Sequence, residues 1–158
     1  FWFYSDELDR GQLSLDEFNK LFASRLGVKS LDWRKYYLRA VEKVPGVFEL
    51  LNKLGKEYKF GLLANMFPGG INSLIEAKIL PDVNYDLIID SSLEGVNKPD
   101  QKIYKIAQKK ANLEANQILL VDDSMPNIVA AQKAGWHTLF FDCSKSDESI
   151  QNVERTLE

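Results

Sequence analysis

Residues 117–135 read QILLVDDSMPNIVAAQKAG, and no other stretch of the chain restricts its fold as much. A run of four apolar residues meets two adjacent carboxylates, and a helical pattern then stops at Gly135. Short continuous apolar runs suit strands buried on both faces, as in parallel sheets, and they deliver whatever follows to the carboxyl edge of the sheet. Open α/β sheets keep their ligands at that edge, which makes Asp122 and Asp123 candidate functional residues. Neighbouring carboxylates repel, so one of the two titrates high unless a cation or several backbone N–H groups hold both ionised. A Mg²⁺ ion does this with one or two carboxylates plus substrate oxygens. Level with that reading stands a structural one, in which Asp123 or Ser124 caps a helix that Pro126 begins.

Composition narrows the class. The chain has 158 residues, enough for one core that buries about 70% of the unfolded surface. Its 45% hydrophobic and 27% charged content is ordinary for a globular domain. A net charge of −3 and an isoelectric point near 5.3 supply no basic stripe to neutralise phosphates along a duplex, so no nucleic-acid partner is expected. No apolar run reaches the roughly 18 residues of a membrane span, and no membrane partner is expected. The single cysteine, Cys143, rules out an internal disulfide and fits a reducing, cytoplasmic setting; as a residue it reads as a small buried hydrophobe rather than a reactive thiol. The opening FWFYSDELDR places aromatic residues where a secretory leader carries basic ones, and its apolar start reads as the inside of a folded element whose upstream part is absent.

Two regimes follow along the chain. Up to Lys43 the pattern is helical only. Ser14 and Glu17 form a capping box, Leu15, Phe18, Leu21, Phe22 and Leu26 recur at three and four, and Gly27 stops the run. A second helix is predicted over 31–41, where Trp33, Tyr36 and Tyr37 read as core rather than as a ligand platform. After Val44-Pro45-Gly46 helices and strands alternate, as in a parallel α/β sheet. Helices are predicted at 47–55, 71–78 and 101–111, and strands at 59–64, 86–90, 117–121 and 137–141, with a polar tail beyond.

Three strand ends carry chemistry. Asn65 follows the first, Lys98 precedes Pro99-Asp100 after the second, and the aspartate pair follows the third. In a doubly wound sheet all three face one crevice. An ammonium opposite two carboxylates with an amide between them suits an anionic phosphoryl group held during in-line displacement. Each residue alone has a dull alternative: Asn65 as a turn residue, Lys98 as a solvated loop lysine before a helix with proline in its first turn. His137, the only histidine, stands at the start of a strand and reads as structural. VDDS before a helix also opens phospho-receiver domains, but their acceptor aspartate needs two further strands, and only one is predicted after Asp123.

These residues resemble the haloacid dehalogenase-like hydrolases, in the branch with a small helical cap. The resemblance rests on GLLAN, GVNKPDQKIY and LLVDDSMPNIVAAQKAG and covers nearly the whole chain. It implies a Rossmann-like parallel sheet core with helices on both faces, here 44–158, and a helical cap, here 1–43. It implies that Lys98 steadies nucleophile and substrate, that Asp123 binds Mg²⁺, that Asp122 acts beside it, and that Asn127 supports the metal from behind. Ala64 and Asn65 take the substrate-binding position. Two departures accompany it. The family's nucleophile lies in an Asp-x-Asp ending the first, central strand, and this sequence contains no Asp-x-Asp; Asp142-Cys143-Ser144 offers serine where the second aspartate belongs. The expectation is that the first strand precedes Phe1, so that the strands ending at Ala64 and Val121 do not pair directly. The family's second motif also ends in a Ser or Thr hydroxyl where this chain has Ala64.

The resulting expectation is a Mg²⁺-dependent phosphatase of a small phosphorylated metabolite, working through an aspartyl phosphate with its nucleophile upstream, so that the chain alone is inactive. A metal-independent haloacid dehalogenase and a non-catalytic binding protein are the alternatives. Aromatic residues at Phe1 to Tyr4, Trp33 and Tyr36 would make part of the selecting surface apolar.

Overall fold

The computed structural model describes residues 2–81 and 83–157. Phe1, named above as part of an apolar surface, lies outside the described residues, as do Asp82 and Glu158. The elements run α1 (Trp2–Asp9), α2 (Leu15–Leu26), α3 (Trp33–Ala40), α4 (Val47–Leu54), β1 (Gly61–Ala64), α5 (Gly70–Glu76), β2 (Leu87–Asp90), α6 (Ser91–Glu94), α7 (Gln101–Ala111), β3 (Leu119–Asp122), α8 (Met125–Lys133), β4 (His137–Phe140) and α9 (Ser146–Leu157). Short 3₁₀ turns at Ala115–Gln117 and Cys143–Lys145 precede β3 and α9. Among the described residues the strands form two two-stranded sheets, β1–β2 and β3–β4, so β1 and β3 do not pair.

The chain divides into two compact units, one of residues 1–43, 63–82 and 89–97, the other of 44–62, 83–88 and 98–158. In the first, the capping box at Ser14 forms as its residue types require: Glu17 N–H donates to Ser14 Oγ, and the Glu17 carboxylate accepts from Ser14 N–H at 3.0 Å. Gly27 ends α2 at φ 66°, a left-handed conformation glycine enters without a Cβ penalty. An aromatic chain fills this unit. Trp33 stands edge-on to Phe18 and Phe22 at 5.6 and 6.1 Å, and Tyr37 edge-on to Phe67 at 5.2 Å. Tyr36, read above as core, is 55% exposed: α3 turns its half-buried face, with Trp33 and Tyr37, towards these aromatic neighbours, and Tyr36 falls on the other side.

Fully buried Ser91 ties three segments of this unit together, donating to the Asp9 carbonyl at 2.5 Å and accepting from Met66 N–H at 3.0 Å. A Cβ on Gly11 would come within 2.2 Å of the Ser92 carbonyl oxygen, and Gly11 has φ 65°, so both space and backbone demand glycine.

The second unit holds a β3–α8–β4 crossover. The two strands are parallel, with Leu119 opposite His137 and Asp122 opposite Phe140. A cluster of Leu50, Leu54, Phe141 and Val153 joins α4 to α9, with Val47, Phe60, Leu139, Ile150 and Leu157 packed around it. The predicted polar tail is therefore a helix. Its apolar residues recur as Ile150, Val153 and Leu157, one face of α9, and their polar neighbours hid that period. Lys53 and Glu154 pair across these helices at 2.7 Å.

Candidate functional site

Asp122 is the last residue of β3, and its side chain is only 5% exposed. Its two oxygens have separate duties. Oδ2 meets the Lys98 ammonium at 2.7 Å, and Lys98 is 11% exposed, so the pair is nearly dry. Oδ1 accepts from Ser124 N–H and from Asn127 Nδ2, both at 2.9 Å. The cation that the adjacent aspartates called for is thus, for Asp122, a lysine of the chain itself.

The local sequence explains the rest. Ser124 is the N-cap of α8 but makes no side-chain cap bond, and Pro126 sits in the first turn, where its missing N–H is not needed. Of the two capping candidates Ser124 takes the N-cap position, while Asp122 reaches two residues forward to its N–H, as aspartates do in turns. Lys98 is no solvated loop lysine. Asp100, accepting from Lys102 N–H, is the N-cap of α7, so Pro99 precedes the cap instead of occupying the first turn.

Asp123 is exposed. Its Oδ2 lies 3.8 Å from Cys143 Sγ, and partial burial together with that carboxylate pushes the thiol above its ordinary value. Cys143 is exposed, not the buried hydrophobe read from the sequence, because β4 ends at Phe140 and the following 3₁₀ turn carries it outward. Asp142 is spent locally, accepting from Ser144 N–H at 2.9 Å and Ser144 Oγ at 2.6 Å. His137 is exposed, and its N–H donates to the Ile118 carbonyl at 2.9 Å, a backbone role. Ala64 ends β1 and Asn65 follows it; both are half-buried and belong to the first unit, whereas Lys98, Asp122, Asp123 and Asn127 belong to the second.

One residue that the sequence reading passed over is Tyr104. It is fully buried in α7, and its hydroxyl donates to the Asn127 carbonyl at 3.1 Å. Burial first and the Asp122 charge second push its ionisation up to about 12, so it stays a donor. Its place in the apolar period of α7 disguised it as plain core.

The donor set can be tested against magnesium on these distances. Among the described residues no three His, Cys, Asp or Glu side chains are grouped to hold a metal. Both oxygens of Asp122 are engaged, which leaves Asp123 as the exposed carboxylate. One carboxylate is within magnesium's habit, since this ion takes one or two together with substrate oxygens and water. The residues fit one side of such a site.

The family model for haloacid dehalogenase-like hydrolases matches residues 13–141. The chain belongs to that family. It is 32% identical over 111 residues to the glyceraldehyde 3-phosphate phosphatase of Pyrococcus abyssi, an alignment that covers 69% of this chain and 45% of that enzyme. This chain therefore spans about half the length of that curated relative. A HAD-like hydrolase from Porphyromonas gingivalis superposes with a TM-score of 0.84 at 22% identity, over 96% of this chain and 77% of that one. A HAD family enzyme from Bacteroides thetaiotaomicron, solved with magnesium and inorganic phosphate, superposes at 0.75 with 19% identity, over 88% and 74%. These likenesses show the fold: a HAD-type α/β chain with a Rossmann-like core.

Proposed function

We propose that this chain is the cap and core portion of a magnesium-dependent phosphatase of a small phosphorylated metabolite, with the cap in 1–43 and the core in 44–158. The observation that carries the reading is the buried Lys98–Asp122 pair at the carboxyl end of β3, with the exposed Asp123 carboxylate next to it. A lysine pointed by a buried carboxylate is preorganised for a phosphoryl oxygen, and such fixed charge is the main source of phosphoryl-transfer catalysis. The similarity to a glyceraldehyde 3-phosphate phosphatase supports a phosphorylated substrate.

In this reading Asp123 holds the magnesium, which supplies positive charge to the phosphoryl group when bound. Asn127 keeps Asp122 in place, Lys98 binds the substrate anion, and Asn65 with neighbouring backbone N–H groups serves where Ala64 offers no hydroxyl. An aspartate attacks phosphorus, its oxygen–phosphorus bond forms as the ester oxygen departs, and water then cleaves the acyl phosphate. The sequence contains no Asp-x-Asp, so the attacking carboxylate is assigned to no residue of this chain, and the chain alone is taken to be inactive. A cytoplasmic setting, drawn from the lone cysteine, completes the reading; no described helix is long and apolar enough to cross a membrane.

The test is Asp123→Asn in the full-length protein. Hydrolysis of a generic aryl phosphate is expected to need Mg²⁺ and to vanish in the variant, with Tm unchanged because Asp123 is exposed. Full activity there would remove the metal assignment, and halide release from 2-haloacids without metal would turn the reading to a dehalogenase. Ala64 favours one other reading, a non-catalytic member that binds a phosphorylated ligand; phosphate binding without turnover by the full-length protein would establish it.

A further inference from the structure

α7 presents three polar side chains at helical spacing, Gln101, Tyr104 and Gln108, and each makes a bond beyond its own helix. Gln101 Nε2 donates to the Ala130 carbonyl at 2.8 Å, Tyr104 to the Asn127 carbonyl at 3.1 Å, and Gln108 Oε1 accepts from Trp136 Nε1 at 3.2 Å. The Trp136 ring stands edge-on to Tyr104, 5.4 Å away at 84°. Of these three contacts only the middle one falls on a residue of the candidate site, for Asn127 Nδ2 holds Asp122 Oδ1 while Lys98 takes Oδ2. Lys98 itself lies two residues before Asp100, the N-cap of the helix that carries Tyr104. Lys98 thus lies just ahead of α7 in the chain and Asn127 is reached from α7 through Tyr104, and the side chains of both meet Asp122.

We propose that Tyr104 is a positioning residue for the Lys98–Asp122 pair, its hydroxyl setting the first turn of α8 and thereby the Asn127 amide that orients the Asp122 carboxylate. A phenylalanine would fill the same buried space, so packing alone does not call for the hydroxyl. Left unpaired in this dry setting the hydroxyl would cost stability, and the partner it has is the backbone of the residue that holds Asp122. The proposal concerns the ion pair and holds whatever reaction the site serves, so it stands or falls apart from the phosphatase reading.

The test uses the full-length protein and no substrate. Acylation of Lys98 by a pulse of acetic anhydride, read by mass spectrometry at fixed pH with exposed Lys53 as internal reference, reports how firmly Asp122 holds the ammonium. Tyr104→Phe is expected to raise the Lys98 rate about fivefold, the factor that one ordinary hydrogen bond corresponds to. Gln108→Leu, which loosens the same helix contact at Trp136, is expected to leave it at the wild-type value. An unchanged rate in Tyr104→Phe, or an equal rise in Gln108→Leu, overturns the proposal. Should Tyr104→Phe not fold, Asn127→Ala cuts the next link with Tyr104 in place; a raised Lys98 rate there supports the relay, and an unchanged one overturns it.

Discussion

Asp122 and Lys98 set the stakes at the level of single residues. With 5% and 11% of their side chains exposed, each depends on the other to repay its lost hydration. Lys98→Met or Asp122→Leu alone breaks the buried ion pair and is expected to cost about 3–5 kcal/mol in urea unfolding, whereas the double variant should return close to wild type. Additive losses would show that the pair is more hydrated than its burial implies. Asp9 shows the opposite balance. Burial, and then the Asp6 and Asp90 carboxylates, push it up to about 6 from an ordinary 3.8. The native state therefore holds a proton that the unfolded chain has released, stability falls as pH rises between about 4 and 6, and the full penalty is present above that window. Asp9→Asn should remove this slope and raise stability at pH 7 by about 1–2 kcal/mol, discounted because Asp9 is only half-buried. An unchanged pH profile of Tm would contradict the assignment. Asp9 in turn contributes, after burial, to the upward shift of Tyr37.

Among the elements, α9 deserves the sharpest test, since its composition reads as a tail. Val153 is buried against Leu50, Leu54 and Phe141, and Ile150 packs beside it. Val153→Asp places an unpaired carboxylate in that cluster and is expected to unfold α9 and destabilise the second unit by several kcal/mol, read as loss of helical circular dichroism and a lower urea midpoint. A variant as stable as wild type would mean that α9 is dispensable. Gly46 belongs to the same packing. At φ 78° it caps α4 in a left-handed turn that favours glycine, and a Cβ there would meet only the tip of the Ile150 side chain, Cδ1, at 2.7 Å. At α2, Ser14→Ala removes the capping box and should cost about 1 kcal/mol, a small effect because the box is exposed.

For the whole molecule the pivotal residue is Ala64. If the full-length protein is an impaired phosphatase, Ala64→Ser should raise turnover of an aryl phosphate, because one donor aimed at the transferring group is worth about 3 kcal/mol. Unchanged turnover would mean that Asn65 and the backbone already fill the role. Strand pairing bears on the same scale. The pattern predicted the four strands found among the described residues to within two residues at either end, and there the sheets β1–β2 and β3–β4 keep β1 and β3 unpaired.

The sequence alone determined the elements whose cause is local. Gln101–Ala111 forms as its period and caps dictate, the Ser14 box closes as its spacing requires, and the apolar run before the aspartates is β3, because propensity, capping and periodicity act within a few residues. It also singled out Lys98, Asp122 and Asn127 by their resemblance to the family's motifs, and the fold brings Lys98 and Asn127 onto the two oxygens of Asp122. Only the tertiary structure decided how the two aspartates divide their work. Asp122 falls on the buried side of β3, where Lys98, 24 residues earlier in the chain, reaches its Oδ2, and Asp123, next in the alternation, is exposed. Tyr104 and Val153 were invisible as partners for the same reason: a side chain's burial depends on what distant segments bring to it, and no local pattern encodes that.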